Sequence, residues 1–153
     1  MYVGVIGTGE YQEPYYSYAY EAGRLIAEKG GIVVCGGLYG VMEAVCKGAK
    51  EAGGISVAIL PGSARSEANP YASVVIPTGL GEMRNAIIVR ASDAVLAIGG
   101  GFGTLSEIGF ALKTGKKVVL LKSWQCKSIT EDFEKRVIIA GSIEEAVEKI
   151  FEK

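Results

Sequence analysis

Short apolar runs alternate with longer amphipathic ones from one end of the chain to the other. The short runs read as strands at Tyr2–Ile6, Ile32–Cys35, Ser56–Leu60, Val74–Ile76, Ala94–Ile98, Lys117–Leu121 and Arg136–Ile139. They lack the polar alternation of a half-exposed sheet, as expected of strands covered by helices on both faces. Between them, the spacing predicts helices at Tyr15–Lys29, Val41–Ala52, Gly81–Ala91, Leu105–Lys113 and Ile143–Phe151. Alternation of this kind predicts an open, parallel, doubly wound sheet in three α/β/α layers.

Punctuation between the runs agrees. Gly30, Gly53 and Gly115 follow helical stretches where a left-handed C-cap falls, and Ser142-Ile143-Glu144-Glu145 is a capping box opening the last helix. No linker, repeat or low-complexity tract divides the 153 residues, so the expectation is one Rossmann-like domain over 1–153. The longest loop, 61–73, carries Arg65, Glu67 and Asn69 and either borders a pocket or only connects.

Composition narrows the function classes. A 49% hydrophobic and 22% charged chain is not disordered. A net charge of -1 carries no footprint for nucleic acid or an anionic membrane. No run has the length of a membrane span, and the N-terminus lacks the basic start of a signal peptide. Cys35, Cys46 and Cys126 show no zinc spacing and fit a reducing cytosol. The absence of histidine removes Ser-His-Asp and Cys-His catalysis and histidine metal sites, leaving acid–base work to Asp, Glu, Lys, Tyr or Cys.

Three strand ends carry glycine: Gly7-Thr8-Gly9, Gly36-Gly37-Leu38-Tyr39-Gly40 and Gly99-Gly100-Gly101-Phe102-Gly103-Thr104. In a parallel sheet all three fall on the carboxyl edge, where ligands bind at the topological switch point. The third feeds a helix N-terminus, which suits a phosphate: backbone N–H groups and the helix dipole both face an anion there. Tight turns also need glycine, which is the bland alternative. The dinucleotide fingerprint is incomplete after Gly9, and Gly115-Lys116-Lys117 is not a Walker A loop.

The third loop and its helix resemble the LOG family, the cytokinin-activating phosphoribohydrolases often misnamed lysine decarboxylases. Gly100-Gly101-Phe102-Gly103-Thr104-Leu105-Ser106-Glu107 matches that family's PGGxGTxxE pattern except for the leading proline, here Gly99. Gly36-Gly37-Leu38-Tyr39-Gly40-Val41-Met42 is similar to GGGxxGLMG, with Glu43 in place of the last glycine, and Met83-Arg84-Asn85 resembles the family's arginine element, where Arg-Lys is usual. The likeness runs from Val3 to Leu121 and is closest to a short branch that includes molybdenum cofactor carrier proteins. It is more distantly related to the Rossmann domain of DprA.

The resemblance implies roles. Glu107 and Arg84 stand where the family has its catalytic carboxylate and arginine. Such a pair would cleave the N-glycosidic bond of a nucleoside 5′-monophosphate to a base and ribose 5-phosphate, through an oxocarbenium-like transition state. Gly99, Gly100, Gly101, Phe102, Gly103 and Thr104 would hold the phosphate. Gly36, Gly37, Tyr39 and Gly40 would line the neighbouring wall, and Gly7, Thr8 and Gly9 the third side. No metal or other cofactor is required, although a bound nucleotide or molybdenum cofactor would fit the same loops. The residues themselves leave alternatives open. Thr104-Leu105-Ser106-Glu107 is also a capping box, with Thr104 as N-cap and Glu107 bonding back. Arg84 reads equally as an ion-pair partner of Glu82 or Glu43. Arg90 is a weaker second candidate, off the face of Arg84.

Tyr11, Tyr15, Tyr16, Tyr18 and Tyr20 crowd one segment, to pack or to stack on a ring; Tyr39 is the better stacking candidate. The leading expectation is therefore a phosphoribohydrolase; the alternative is a non-catalytic carrier of a phosphorylated ligand such as the molybdenum cofactor. Lysine decarboxylation is rejected for want of a pyridoxal phosphate site. Ile87, Ile88, Val89, Leu105, Ile108, Phe110 and Leu112 exceed what one sheet face needs and predict a homo-oligomer interface beside the pocket.

Overall fold

The computed structural model describes residues 1–126 and 133–152. Seven strands, β1 (Tyr2–Gly7), β2 (Ile32–Cys35), β3 (Ile55–Leu60), β4 (Val74–Pro77), β5 (Ala94–Ile98), β6 (Lys117–Leu121) and β7 (Ile138–Ala140), form one sheet in the order β4-β3-β2-β1-β5-β6-β7. Every pairing is parallel. The helices are α1 (Tyr15–Glu28), α2 (Val41–Glu51), α3 (Asn85–Ala91), α4 (Phe102–Lys113), α5 (Phe133–Arg136) and α6 (Ile143–Phe151). One core joins the sheet to α1, α2 and α6, and a second joins it to α3 and α4, giving three α/β/α layers.

Sequence order runs outward from β1 in both directions, so the switch point lies between β1 and β5. There Val3–Gly7 pair with Ala94–Ile98. The five residues of β5 are all buried, which explains their unbroken apolar run. The edge strand β4 alternates exposed and half-buried residues, and its Pro77 sits where a missing donor costs least. Helices α1 and α2 pack closely because Gly23 and Gly48 face the opposing backbone; a Cβ on Gly48 would collide with the Tyr20 carbonyl. Among the described residues no helix is long and apolar enough to cross a membrane.

Several predicted boundaries shift. The helix expected over Gly81–Ala91 is a 3-10 turn, Gly81–Arg84, followed by α3. The strand expected at Arg136–Ile139 divides into α5 and β7. Most consequentially, α4 starts at Phe102 rather than Leu105, with Gly101 as its N-cap. Thr104 thus lies inside the first turn, and the predicted Thr104–Glu107 capping box does not form. The Ser142 cap does form: Ser142 Oγ accepts from Glu145 N at 3.2 Å, while Glu145 Oε2 reaches back past the N-cap to accept from Gly141 N at 2.8 Å. Of the seven apolar residues assigned to an interface, Ile88, Val89 and Ile108 belong to the core. Leu105 and Leu112 are half-buried, and Ile87 and Phe110 remain exposed.

Candidate functional site

A cleft of about 240 Å³ opens at the carboxyl edge beside the switch point. Its walls come from the end of β1 (Gly7, Gly9), the β2 loop (Gly36, Leu38), the turn before α3 (Glu82, Arg84, Asn85) and the first turns of α4 (Gly103, Thr104, Glu107). The resemblance-derived pair Arg84 and Glu107 therefore faces one cavity, although 23 positions separate them in the chain.

Arg84 is only 7% exposed. Its Nη2 donates to the Gly36 carbonyl at 3.3 Å, and its Nη1 donates to Asn85 Oδ1. The Nε is buried and has no partner. A buried N–H left unpaired costs roughly 1–3 kcal/mol, more when charged. Arg84 pairs with neither Glu82 nor Glu43; its neighbours are neutral acceptors, so its charge is not cancelled by a carboxylate contact. Gly36 is required for this pose, because a Cβ there would lie 2.5 Å from Arg84 Nη2 and 2.6 Å from Met42 Sδ.

Glu107 is 6% exposed. Burial pushes its pKa up to about 8; Arg84 draws it down and Glu82 raises it further. At neutral pH it is a protonated acid with an O–H to donate, in a cleft that also holds a guanidinium.

The remaining sequence-derived residues divide. Gly7, Gly9, Gly36, Gly101, Gly103 and Thr104 line the cleft. Thr8, Gly99 and Gly100 turn toward an adjoining cleft of about 560 Å³, built with Gln12, Tyr15, Lys122, Ser123, Trp124 and Gln125. Gly37 is buried under the 61–73 loop, whose Asn69 donates to the Gly37 carbonyl through both N (2.9 Å) and Nδ2 (3.1 Å). That loop braces the second glycine loop and lines neither cleft. Gly40 is the N-cap of α2, where a Cβ would meet the Thr8 and Glu10 backbone. Tyr39 is 58% exposed and lines neither cleft; Leu38 takes the wall position instead. Phe102 is 82% exposed, its ring 5.8 Å from that of Trp124. Tyr15, Tyr16, Tyr18 and Tyr20 pack against the first core. Leu38, Met42 and, in the second cleft, Gln12 and residues 122–125 carried no sequence signal, since no glycine marks the end of β6. Among the described residues no cluster of His, Cys, Asp or Glu could hold a metal ion.

Residues 1–147 match the model of the SLOG cluster4 family. The chain belongs to that family. A sequence relative in Archaeoglobus fulgidus, an uncharacterized protein, is 54% identical over 122 residues, 80% of each chain. A rice protein described as a probable cytokinin riboside 5′-monophosphate phosphoribohydrolase is 33% identical over 97 residues. That match takes in 61% of this SLOG chain but only 43% of the rice protein. Among solved structures, the molybdenum cofactor binding protein of Rippkaea orientalis superposes with a TM-score of 0.88 at 38% identity, over 97% of this chain and 94% of that one. The molybdenum cofactor carrier protein of Chlamydomonas reinhardtii gives 0.84 at 35%, with the same coverage. The three-layer fold and the placement near the LOG and carrier proteins thus agree with the sequence patterns.

Proposed function

We propose that this SLOG protein holds a phosphorylated, ring-bearing small molecule of the molybdenum cofactor type and carries it without cleaving it. The observation that carries this reading is Arg84, a buried guanidinium in the cleft whose Nε has no partner. Burial raises the pKa of the neighbouring Glu107 to about 8, which favours a carboxyl with an O–H to donate to a ring acceptor. A pterin offers a carbonyl and ring nitrogens as acceptors. Arg84, with its Nε unpartnered, supplies the cation for a phosphate, and the backbone at Gly101–Thr104 supplies N–H donors. Asn85, where LOG-like sequences carry lysine, leaves the cleft without a second cation to hold Glu107 ionised. Likeness to two molybdenum cofactor proteins over nearly the whole chain supports the same reading.

The second reading is the phosphoribohydrolase, favoured by the meeting of Glu107, Arg84 and the α4 glycine loop in one cleft. Incubation with purine nucleoside 5′-monophosphates separates the two. The carrier raises its melting temperature with a bound ligand and releases no ribose 5-phosphate. Ribose 5-phosphate release that Glu107→Gln abolishes would establish the hydrolase.

The exposed apolar side chains Met83 (79% exposed), Ile87, Phe102 and Phe110 lie on the turn before α3, on α3 and on α4, and we assign them to a contact between copies of this chain.

A further inference from the structure

The two clefts share one residue, Gly101, which lines both. Its glycine is not explained by the protein. Its φ of -102° is open to any residue, and a Cβ there would meet nothing within 4 Å. Neighbouring Gly99 and Gly100 differ: both have positive φ, and their Cβ atoms would strike Tyr15 and Thr104. The open space at Gly101 adjoins both clefts.

The first cleft is the smaller of the two. Its volume of about 240 Å³ falls below the roughly 300–1,000 Å³ of small-molecule sites, whereas the second, about 560 Å³, falls within that range. Among the described residues, the second cleft is lined by a lysine and two aromatic rings and by no carboxylate. It is also tied to the first. Trp124 Nε1 donates to the Gly101 carbonyl at 3.0 Å, and Ser123 Oγ donates to the Gly99 carbonyl at 2.6 Å.

We infer that the ligand is a dinucleotide-type molecule: two ring-bearing units joined by a phosphate bridge that crosses Gly101. One unit enters the Arg84–Glu107 cleft. The other lies against Trp124 and Tyr15, with Lys122 beside the bridge. The inference rests on the first cleft being the phosphate site proposed above, and it adds the second ring and the bridge.

Trp124 is the sole tryptophan and lines the second cleft, so a ring stacked there changes the emission. The probes are guanosine 5′-monophosphate and diguanosine 5′,5′-pyrophosphate, titrated into the intact chain by calorimetry and by fluorescence. The dinucleotide is expected to bind about tenfold or more tighter and to quench Trp124, while the monophosphate leaves emission unchanged. Lys122 has φ +49°, a conformation asparagine accepts more readily, so Lys122→Asn removes the cation without backbone cost. It should abolish the tenfold advantage by weakening the dinucleotide far more than the monophosphate. Gly101→Val, which meets no protein atom at Cβ, should reduce the binding of both. Equal affinities, an advantage that survives Lys122→Asn, or emission that ignores the dinucleotide would overturn the inference and leave the single-cleft site standing. If neither nucleotide binds while the purified protein retains a phosphorylated pterin mononucleotide, the two-unit ligand is again overturned and the carrier function stands.

Discussion

Arg84 lies directly over Gly36: its Nη2 donates to the Gly36 carbonyl, and a Cβ on Gly36 would fall 2.5 Å from that same nitrogen. The second glycine loop therefore acts by leaving room for a buried guanidinium. Gly36→Ala should displace Arg84, weaken binding of a phosphorylated ligand about tenfold or more, and cost about 1–3 kcal/mol of stability through overpacking. Chemical denaturation and ligand titration of the variant check both effects.

Asn85 holds the other side of the guanidinium. Asn85→Ala leaves Nη1 without its acceptor beside an Nε that already lacks one. A loss of about 1–3 kcal/mol is expected, with weaker phosphate binding. Ser142→Ala is the control: loss of its cap should cost about 1 kcal/mol while binding stays unchanged. Denaturation midpoints and calorimetry on the two variants separate site from scaffold.

Glu107 should impose a pH dependence of known sign. Its folded pKa, about 8, lies above the ordinary 4.5. Between those values the folded state keeps a proton that the unfolded state has lost, so stability falls as pH rises from about 4.5 to 8 and then levels off. Glu107→Gln cannot ionise. The melting temperature of the variant should therefore gain on the native protein between pH 5 and pH 8.5. Ligand affinity of the native protein should decline above pH 8 while that of the variant does not. Parallel melts and titrations across this range check both.

Met83 and Phe102 are largely exposed and adjoin cleft-lining residues in the chain. Phe102→Glu with Met83→Glu should convert an oligomer to a monomer, as light scattering coupled to gel filtration would show. A native protein that is monomeric at micromolar concentration would contradict the assigned interface.

The strands were the most legible part of the sequence. Ile32–Cys35, Ala94–Ile98 and Lys117–Leu121 are marked by unbroken apolar runs because helices cover both faces of the central sheet. The site was legible in its residues but not in its geometry. Thr104-Leu105-Ser106-Glu107 fits a capping box, and only the helix start at Phe102 shows that Glu107 is buried in the cleft instead. Tyr39 looked placed to stack, yet the Gly40 turn leaves its ring in solvent and puts Leu38 on the wall. Lys122 and Trp124 left no trace in the pattern, because their place at the site comes from β6 lying next to β5 in the sheet.

Native mass spectrometry of the protein freshly purified from cells that make the molybdenum cofactor tests the central claim most directly. An intact phosphorylated pterin mass is expected on the native protein and is lost in Arg84→Gln at equal folded content. A native protein that retains no such ligand, and instead converts an added nucleoside 5′-monophosphate to base and ribose 5-phosphate, would contradict it.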